Sequence, residues 1–182
     1  MAFIGLISDT HCLADPRVRE FLEPVDMIWH AGDFGNIRTA DEIASWKPLT
    51  AVYGNCDGAE VRSCYPVVQA FEVEGRKILM THIGGYPGHY DYKALQMIAS
   101  YRPDIFVCGH SHILKVMNDK RFNMLVLNPG AAGSFGFHTV QTALRFKIEA
   151  GRIFDMEVGE WQKNLENHFK TGSKSNRGRF SE

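Results

Sequence analysis

The chain has 182 residues, 45% hydrophobic and 23% charged, with a formal net charge of −1. These values are typical of one globular domain rather than a disordered or fibrous chain, and they give no electrostatic basis for non-specific nucleic-acid binding. No run approaches the ~18 apolar residues of a membrane span, and four scattered cysteines argue against a disulfide framework, so we expect a cytoplasmic protein with reduced thiols.

The first part of the chain alternates apolar runs with helical segments. Three apolar runs predict buried strands, at residues 2–8, 25–29 and 49–53. One or two helical turns are expected within 16–22. A longer helix should begin at a cap, either Asn36 or Thr39, and end before Pro48.

Hairpins and one further helix are predicted in the second part. The expected elements are a hairpin of 67–73 and 77–81, a helix at 91–100, a strand at 105–108, strands near 116 and at 122–127, and a strand pair at 142–148 and 152–158. Together they predict a mixed sheet system with helices outside. We expect one domain over residues 1–160, followed by a polar, mobile tail over residues 161–182.

Polar side chains follow each of five predicted strands at the point where the strand ends. They are Asp9 and His11, His30 and Asp33, Asn55 and Asp57, His82, and His110 and His112. Open α/β sheets bind ligands in the crevice beyond their strand ends. Any one of these residues could equally be a turn, cap or surface residue, but agreement among five loops predicts a common site.

The types and spacing of these residues favour a pair of metal ions. On extended backbone, Asp9 and His11 would point to one side, as would His110 and His112. Four imidazoles, two carboxylates and an amide exceed the needs of one ion and suit two ions that share a carboxylate, roughly 3.5–4 Å apart. Such ligands favour Mn, Fe, Ni, Co or Zn over Ca and Mg.

In this order, the motifs resemble those of the calcineurin-like metallophosphoesterase superfamily, in particular its small single-domain prokaryotic phosphodiesterases. The matching motifs are Asp9-Thr10-His11, Gly32-Asp33, Gly54-Asn55-Cys56-Asp57, His82 and Gly109-His110-Ser111-His112. Residues 128–131 are similar to the N-P-G-S loop of those phosphodiesterases. The resemblance runs from residue 2 to about residue 158. It implies an α/β (α+β) fold, a four-layer α-β-β-α sandwich of two mixed β-sheets flanked by helices.

The resemblance also implies a ligand set and a reaction. One ion would be held by Asp9, His11, Asp33 and His112, and the other by Asp33, Asn55, His82 and His110. Asp33 would bridge the ions and so take part in catalysis. The implied cofactors are two divalent metal ions, Mn²⁺ first and Fe, Ni, Co or Zn as alternatives. A metal-bridging hydroxide would attack a phosphodiester, or a phosphomonoester, in line.

A small phosphoester, which includes nucleotide-like esters, is the expected substrate. The short connections between motifs leave little material to enclose it, and a homo-oligomer could supply the missing wall. A membrane is not an expected partner. The same fold also serves as a non-catalytic scaffold in protein–protein assembly of an endosomal coat, where several ligand positions are replaced. Because this chain keeps every matched ligand, we favour the enzyme.

Cys56 departs from the superfamily pattern, which usually has a histidine at that position. A thiol with a pKa near ~8.5 is a poor general acid, so the proton donor to the leaving group is open. His138 is the first candidate, with His30 and His89 as further ones. His30 could instead orient a ligand through a hydrogen bond, and Asp57 is predicted to support catalysis by holding an imidazole in its tautomer.

Overall fold

Two five-stranded mixed sheets face each other in the computed structural model, which describes residues 1–163. The first sheet contains β1 (Ala2–Ile7), β2 (Met27–His30), β3 (Leu49–Ala51), β11 (Val140–Glu149) and β12 (Arg152–Gln162). The second contains β4 (Val68–Val73), β5 (Arg76–Thr81), β8 (Ile105–Val107), β9 (Leu114–Asp119) and β10 (Met124–Pro129). A separate two-stranded hairpin consists of β6 (Gly85–Tyr86) and β7 (His89–Tyr90).

Each sheet has three adjacent parallel strands, with antiparallel pairing on one side of them in the first sheet and on both sides in the second. The strand orders are β12-β11-β1-β2-β3 and β4-β5-β8-β10-β9. Strands β1, β2 and β3 are parallel, as are β5, β8 and β10. The carboxyl ends of parallel strands lie at one edge of a sheet, so each sheet gathers the loops that follow its strands at one end.

The largest core lies between the two sheets. Ile4 and Leu6 of β1, Trp29 of β2 and Phe146 of β11 are fully buried there. The Trp29 ring meets Phe146 and Phe71 edge-on, with centroid distances of 5.8 and 5.2 Å. Aromatic pairs in this arrangement stabilise a core beyond the area that they bury.

Four helices cover the outer faces of the sandwich among the residues described. They are α1 (Pro16–Phe21), α2 (Ile37–Trp46), α3 (Ala59–Cys64) and α4 (Tyr92–Tyr101). Val18, Ile43 and Val61 bury the first three helices against the first sheet, and Ile98 buries α4 against the second. The layers are therefore helix, sheet, sheet and helix, which confirms the predicted fold class.

Most predicted elements are present, with small shifts at their ends. Of the two caps proposed for α2, Asn36 is the one used, since its side chain accepts a hydrogen bond of 2.9 Å from the Thr39 backbone N–H. Helix α3 and the β6–β7 hairpin were not predicted. Helix α3 is six residues long and follows Gly58, which offers no capping side chain.

Strand β12 runs to Gln162, two residues past the predicted domain end, and the Trp161 ring packs edge-on against Phe21 at 5.6 Å. The rest of the predicted tail, from residue 164 on, lies outside the described residues. Within residues 1–163, no helix combines the length and apolar character needed to cross a membrane.

Phe146→Ala should lower the free energy of unfolding by about 3–5 kcal/mol, because it leaves a cavity between the sheets. The matched control is Phe137→Ala, since the Phe137 side chain is fully exposed (107%) and its removal should change stability by about 0.5 kcal/mol at most. Urea unfolding followed by circular dichroism measures both. Equal effects of the two substitutions would contradict the packing described for the central core.

Candidate metal centre

The candidate site lies where five loops meet at one end of the sandwich. Three loops follow the parallel strands β1, β2 and β3 of the first sheet, and two follow β5 and β8 of the second. They carry the residues that the sequence singled out: Asp9 and His11, Asp33, Asn55, His82, and His110 and His112. Both sheets therefore contribute to the site, and their packing sets the distances within it.

The backbone at the site is left-handed rather than extended. Five of the seven predicted ligands have positive φ angles: Asp9 (54°), His11 (44°), Asp33 (60°), His110 (67°) and His112 (56°). The expectation that extended backbone aligns the D-x-H and H-x-H pairs is therefore wrong. Each such residue stores on the order of 1–3 kcal/mol of strain, and strain of this kind persists only where surrounding contacts hold it.

Two motif glycines let neighbouring loops approach each other closely. A Cβ atom on Gly54 would overlap the Asp33 carboxylate, and one on Gly109 would overlap the Ser8 hydroxyl oxygen. Neither glycine has a positive φ, so Gly54 is needed for close approach and not for the sharp turn that its position after a strand suggests.

Within residues 1–163, three groups of side chains could each hold a metal ion, since the ligand atoms of each group lie within 4.8 Å of one another. The first group is Asp9, His11 and His112, the second is Asp33, His82 and His110, and the third is His11, Asp33 and Cys56. The two histidines of the H-x-H motif thus go to different groups. The first group is the first predicted ligand set without Asp33, and the second group is the second predicted set without Asn55.

Asp9 leaves one carboxylate oxygen unpartnered in the first group. Its Oδ2 accepts hydrogen bonds from the Ser8 hydroxyl (2.5 Å) and the His110 backbone N–H (3.0 Å). Its Oδ1 is buried, receives no hydrogen bond from the part of the chain that the structure describes, and lies 3.2 Å from Nε2 of His112 and 3.8 Å from Nε2 of His11. A buried anionic oxygen without a partner is unfavourable unless a cation lies beside it.

His82 presents a lone pair to a carboxylate in the second group. Because its Nδ1 donates to the Ala31 carbonyl oxygen (2.7 Å), Nε2 carries no hydrogen in the neutral ring. This Nε2 is buried and lies 3.2 Å from Asp33 Oδ2. Burial lowers the pKa of His82, but Asp33 and Asp9 outweigh burial and raise it, so this position calls for positive charge.

These orphaned atoms show that the residues fit divalent cations. An unprotonated imidazole nitrogen and a carboxylate oxygen at 3.2 Å repel each other unless a proton or a metal ion lies between them. Burial lowers the pKa of His11, which favours its neutral imidazole. Neutral imidazoles and ionised carboxylates are the forms that bind Mn, Fe, Co, Ni or Zn.

The loop of Asn55 and Cys56 borders both groups. The amide nitrogen of Asn55 donates to Cys56 Sγ (3.4 Å), and no described residue donates to its amide oxygen. Sequence reasoning missed that Cys56 Sγ lies among the donor atoms, within the third group. Burial, with the charge of Asp33, raises the pKa of Cys56 to about 11, so the thiol stays protonated at neutral pH.

His138 fixes the tautomer of His112. Its Nε2 lies 2.9 Å from the Gly133 carbonyl oxygen, which only accepts, so Nε2 carries the hydrogen and Nδ1 a lone pair. That Nδ1 lies 3.1 Å from Nδ1 of His112, which must therefore be the donor. His112 is left with its Nε2 lone pair towards Asp9. With both nitrogens engaged, His138 suits orientation of His112 better than proton donation.

His30 and Asp57 hold the loops together. His30 is fully buried and stacked on Phe34 at 3.6 Å, and burial lowers its pKa to about 3. Its Nδ1 accepts from the Gly32 N–H (3.1 Å), and its Nε2 lies 3.1 Å from Thr10 Oγ1. A buried neutral imidazole bonded to two loops orients them and is a poor proton donor.

Asp57 contacts main chain and no imidazole, which corrects the expectation that it holds a tautomer. Its carboxylate accepts from the backbone N–H groups of Asp33 (3.0 Å), Gly35 (2.8 Å) and Gly54 (2.8 Å). It thereby joins the loops after β2 and β3. His89 lies exposed in the β6–β7 hairpin, with its ring 4.9 Å from that of Tyr86, and belongs to none of the three groups.

Comparisons with known sequences identify a family and a relative of this chain. The sequence profile of the calcineurin-like phosphoesterase superfamily domain matches residues 2–151. A probable metallophosphoesterase from Methanothermobacter thermautotrophicus is 29% identical over 140 residues, which cover 70% of this chain and 76% of the relative.

Solved structures share the fold. A structure described as a novel archaeal phosphodiesterase has a TM-score of 0.66 and 25% identity, covering 86% of this chain and 99% of that one. Wild-type Vps29 from Entamoeba histolytica, complexed with Zn²⁺, has a TM-score of 0.67 and 18% identity, covering 89% and 99%. At that identity, the Vps29 likeness speaks for the fold alone.

His138→Ala should weaken Mn²⁺ binding by about 10- to 100-fold, because His112 loses the acceptor that fixes its tautomer. His138→Gln should restore most of the affinity, since a glutamine amide can accept from His112 and donate to Gly133. Isothermal titration of metal-free protein measures both, with the exposed His89→Ala as the control. Unchanged Mn²⁺ affinity in His138→Ala would contradict this role.

Proposed function

We propose that this chain, which belongs to the calcineurin-like phosphoesterase superfamily, hydrolyses phosphodiesters with two divalent metal ions held at the candidate metal centre. At the coarser level, the family and its phosphodiesterase neighbour support a metal-dependent phosphoesterase. The proposal of phosphodiester hydrolysis with two metal ions rests above all on the surroundings of Asp9 Oδ1. Among the described residues this buried oxygen has no hydrogen-bond donor, and it lies 3.2–3.9 Å from the Nε2 atoms of three histidines, His11, His82 and His112.

Two adjoining donor groups support two ions rather than one. Asp9, His11 and His112 would hold one ion, and Asp33, Asn55, His82 and His110 the other, with Asp33 shared. Asp33 Oδ2 is suited to sharing because it lies 3.2 Å from His82 Nε2 and 3.9 Å from His11 Nε2. Its other oxygen accepts from the Cys56 N–H (2.8 Å), which fixes the plane of the carboxylate.

The ions would lower the pKa of a bound water molecule and neutralise negative charge on the phosphoryl oxygens. Mn²⁺ is the first candidate for a set of imidazole and oxygen ligands. The chain itself orients these ligands. The Ala31 carbonyl fixes the His82 ring, His138 fixes the His112 ring, and the Ser8 hydroxyl fixes the Asp9 carboxylate. Ligands fixed in this way bind metal more tightly than mobile ones.

None of the candidates for a proton donor suits that role, and His89, exposed in the β6–β7 hairpin, belongs to none of the three ligand groups. His138 uses both ring nitrogens, His30 is buried with a pKa of about 3, and Cys56 has a pKa of about 11. We therefore propose that the leaving oxygen takes its proton from solvent. Esters of acidic alcohols, such as aryl phosphodiesters, need little help from an acid and should be the best substrates.

A non-catalytic scaffold for protein–protein assembly is the second candidate. Its support is the fold that this chain shares with Vps29, at a TM-score of 0.67 over 89% of this chain. The retention of a complete donor set speaks for the enzyme, since a scaffold has no need of buried, unpartnered ligand atoms. Fold similarity by itself does not decide function.

Metal stripping should abolish hydrolysis of bis-p-nitrophenyl phosphate, and Mn²⁺ should restore it, because the buried donor atoms require the ions. Asp33→Asn should reduce bound Mn²⁺ from two ions to one or none and lower kcat at least about 10²-fold. The control is Asp155→Asn, an exposed carboxylate paired with Lys147 at 2.9 Å. An intact fold with no metal-dependent turnover would favour the scaffold, and two ions retained in Asp33→Asn would refute the shared ligand.

Cys56→Ser should leave the shape of the pH–rate profile unchanged between pH 6 and 9. A thiol with a pKa of about 11 is protonated throughout that range and loses its proton only above it. Cys56→His should give equal or lower activity, since the chain does not use this position as an acid. A new limb in the Cys56→Ser profile, or a gain in kcat with histidine, would show that the position handles a proton.

A further inference from the structure

A cavity of about 550 Å³ opens beside the candidate metal centre. Asn55 and His82 form part of its wall, so it is continuous with the second donor group. A ligand held at the centre would extend one of its arms into this space. A second cavity, of about 670 Å³, is lined mainly by residues of β9, β10 and β12 and shares none of them with the centre.

Aliphatic side chains are part of the lining of the 550 Å³ cavity. Val67 and Ile83 are 52% and 43% exposed, and Met97 of α4 is half-buried. Exposed aliphatic groups that adjoin a polar site are typical of a binding wall that a ligand covers. This wall suits a flat, apolar face.

Cationic groups also line the cavity. The Arg62 Nε donates to the Asp57 carbonyl oxygen (2.7 Å), and its Nη2 donates to the Asn55 carbonyl oxygen (3.1 Å). The guanidinium also lies 4.9 Å from the centroid of the Tyr53 ring. Arg62 is thus held on the loop that carries Asn55, and its Nη1 has no hydrogen-bond acceptor within residues 1–163. A guanidinium fixed in this way suits a phosphate oxygen.

The charge on the cavity wall is positive overall. Lys93 adds a second cation. The carboxylate Asp91 also lines the cavity, but it caps α4 by accepting from the backbone N–H groups of Lys93 (2.9 Å) and Ala94 (3.2 Å). A lining that combines aliphatic and cationic side chains suits a retained group with an apolar face next to its phosphate, which a bare sugar lacks and a nucleoside has.

We propose that this cavity is the subsite for the retained ester group of the phosphodiester, and that this group is a nucleoside. The base lies against Val67, Ile83 and Met97, and the phosphate oxygens lie towards Arg62. This assignment rests on the proposed phosphodiesterase function, which it extends to a substrate class. In the reaction, water adds oxygen to phosphorus, the bond to the leaving alcohol breaks, and a nucleoside monophosphate remains in the cavity.

Two substrates with one leaving group test the subsite. Thymidine 5′-p-nitrophenyl phosphate and methyl p-nitrophenyl phosphate both release p-nitrophenolate, so their kcat/KM ratio isolates the retained group. The wild-type ratio should favour the nucleoside at least about 10-fold. Val67→Asp should lower that ratio at least about 10-fold, because it replaces part of the apolar surface against which only the nucleoside lies. Val116→Asp, a change at an exposed valine (45%) of β9, is the matched control and should preserve the ratio.

Binding of thymidine 5′-monophosphate to metal-free protein gives a readout that needs no turnover. Isothermal titration should show binding to the wild type, at least about 10-fold weaker binding to Arg62→Met and Val67→Asp, and wild-type binding to Arg38→Met, a change at an exposed arginine of α2. Circular dichroism confirms the fold of each variant.

The outcomes separate the two proposals. Metal-dependent hydrolysis with no preference for the nucleoside, or with a preference that Val67→Asp leaves intact, overturns the subsite and keeps the phosphodiesterase. No hydrolysis of either ester in Mn²⁺-loaded protein overturns the phosphodiesterase. Titration with thymidine 5′-monophosphate then tests the nucleotide site by itself. No binding, or equal binding by all variants, would overturn that site. Weaker binding by Arg62→Met and Val67→Asp, with unchanged binding by Arg38→Met, would support it.

Discussion

Burial of two carboxylates where the sheets meet is the constraint on which the site depends. Asp9 and Asp33 each have one oxygen fixed by neighbouring donors and one that faces imidazole nitrogens. An uncompensated buried charge destabilises a protein by several kcal/mol. The imidazoles of His82 and His112 cannot relieve it as neutral rings, because their facing nitrogens carry lone pairs. Cations are the partners that this arrangement favours.

The sandwich makes this burial possible by holding strained loops in place. Left-handed backbone at Asp9, Asp33 and His110 turns the side chains into the site immediately after their strands. Asp57 offsets part of the strain by accepting three backbone hydrogen bonds from two loops. The rigid cores between and outside the sheets hold the loop ends in register. The chemistry therefore lies in the loops, and its geometry derives from the packing beneath them.

Local patterns predicted the elements better than they predicted the geometry of the site. Alternation at 142–148 and the cap at Asn36 correspond to β11 and α2, because such signals act over a few residues. Helix α3 lacks a capping side chain and gives no such signal. The left-handed turns are set by contacts between loops far apart in sequence. The bond between His112 and His138 likewise depends on how the loop after β10 folds back.

The ligand residues lie far apart in the sequence, so the site forms only when the fold brings distant segments together. Asp9 contacts the His110 backbone, and His11 contacts His112, in each case across 101 positions. Closing such a span in an unfolded chain carries an entropic penalty, which burial of the apolar cores offsets without help from the ligand residues. A metal ion would therefore bind a preformed site, in contrast to the small zinc-dependent domains whose folding metal drives. As a ligand of the native state it would raise thermal stability with the logarithm of its concentration.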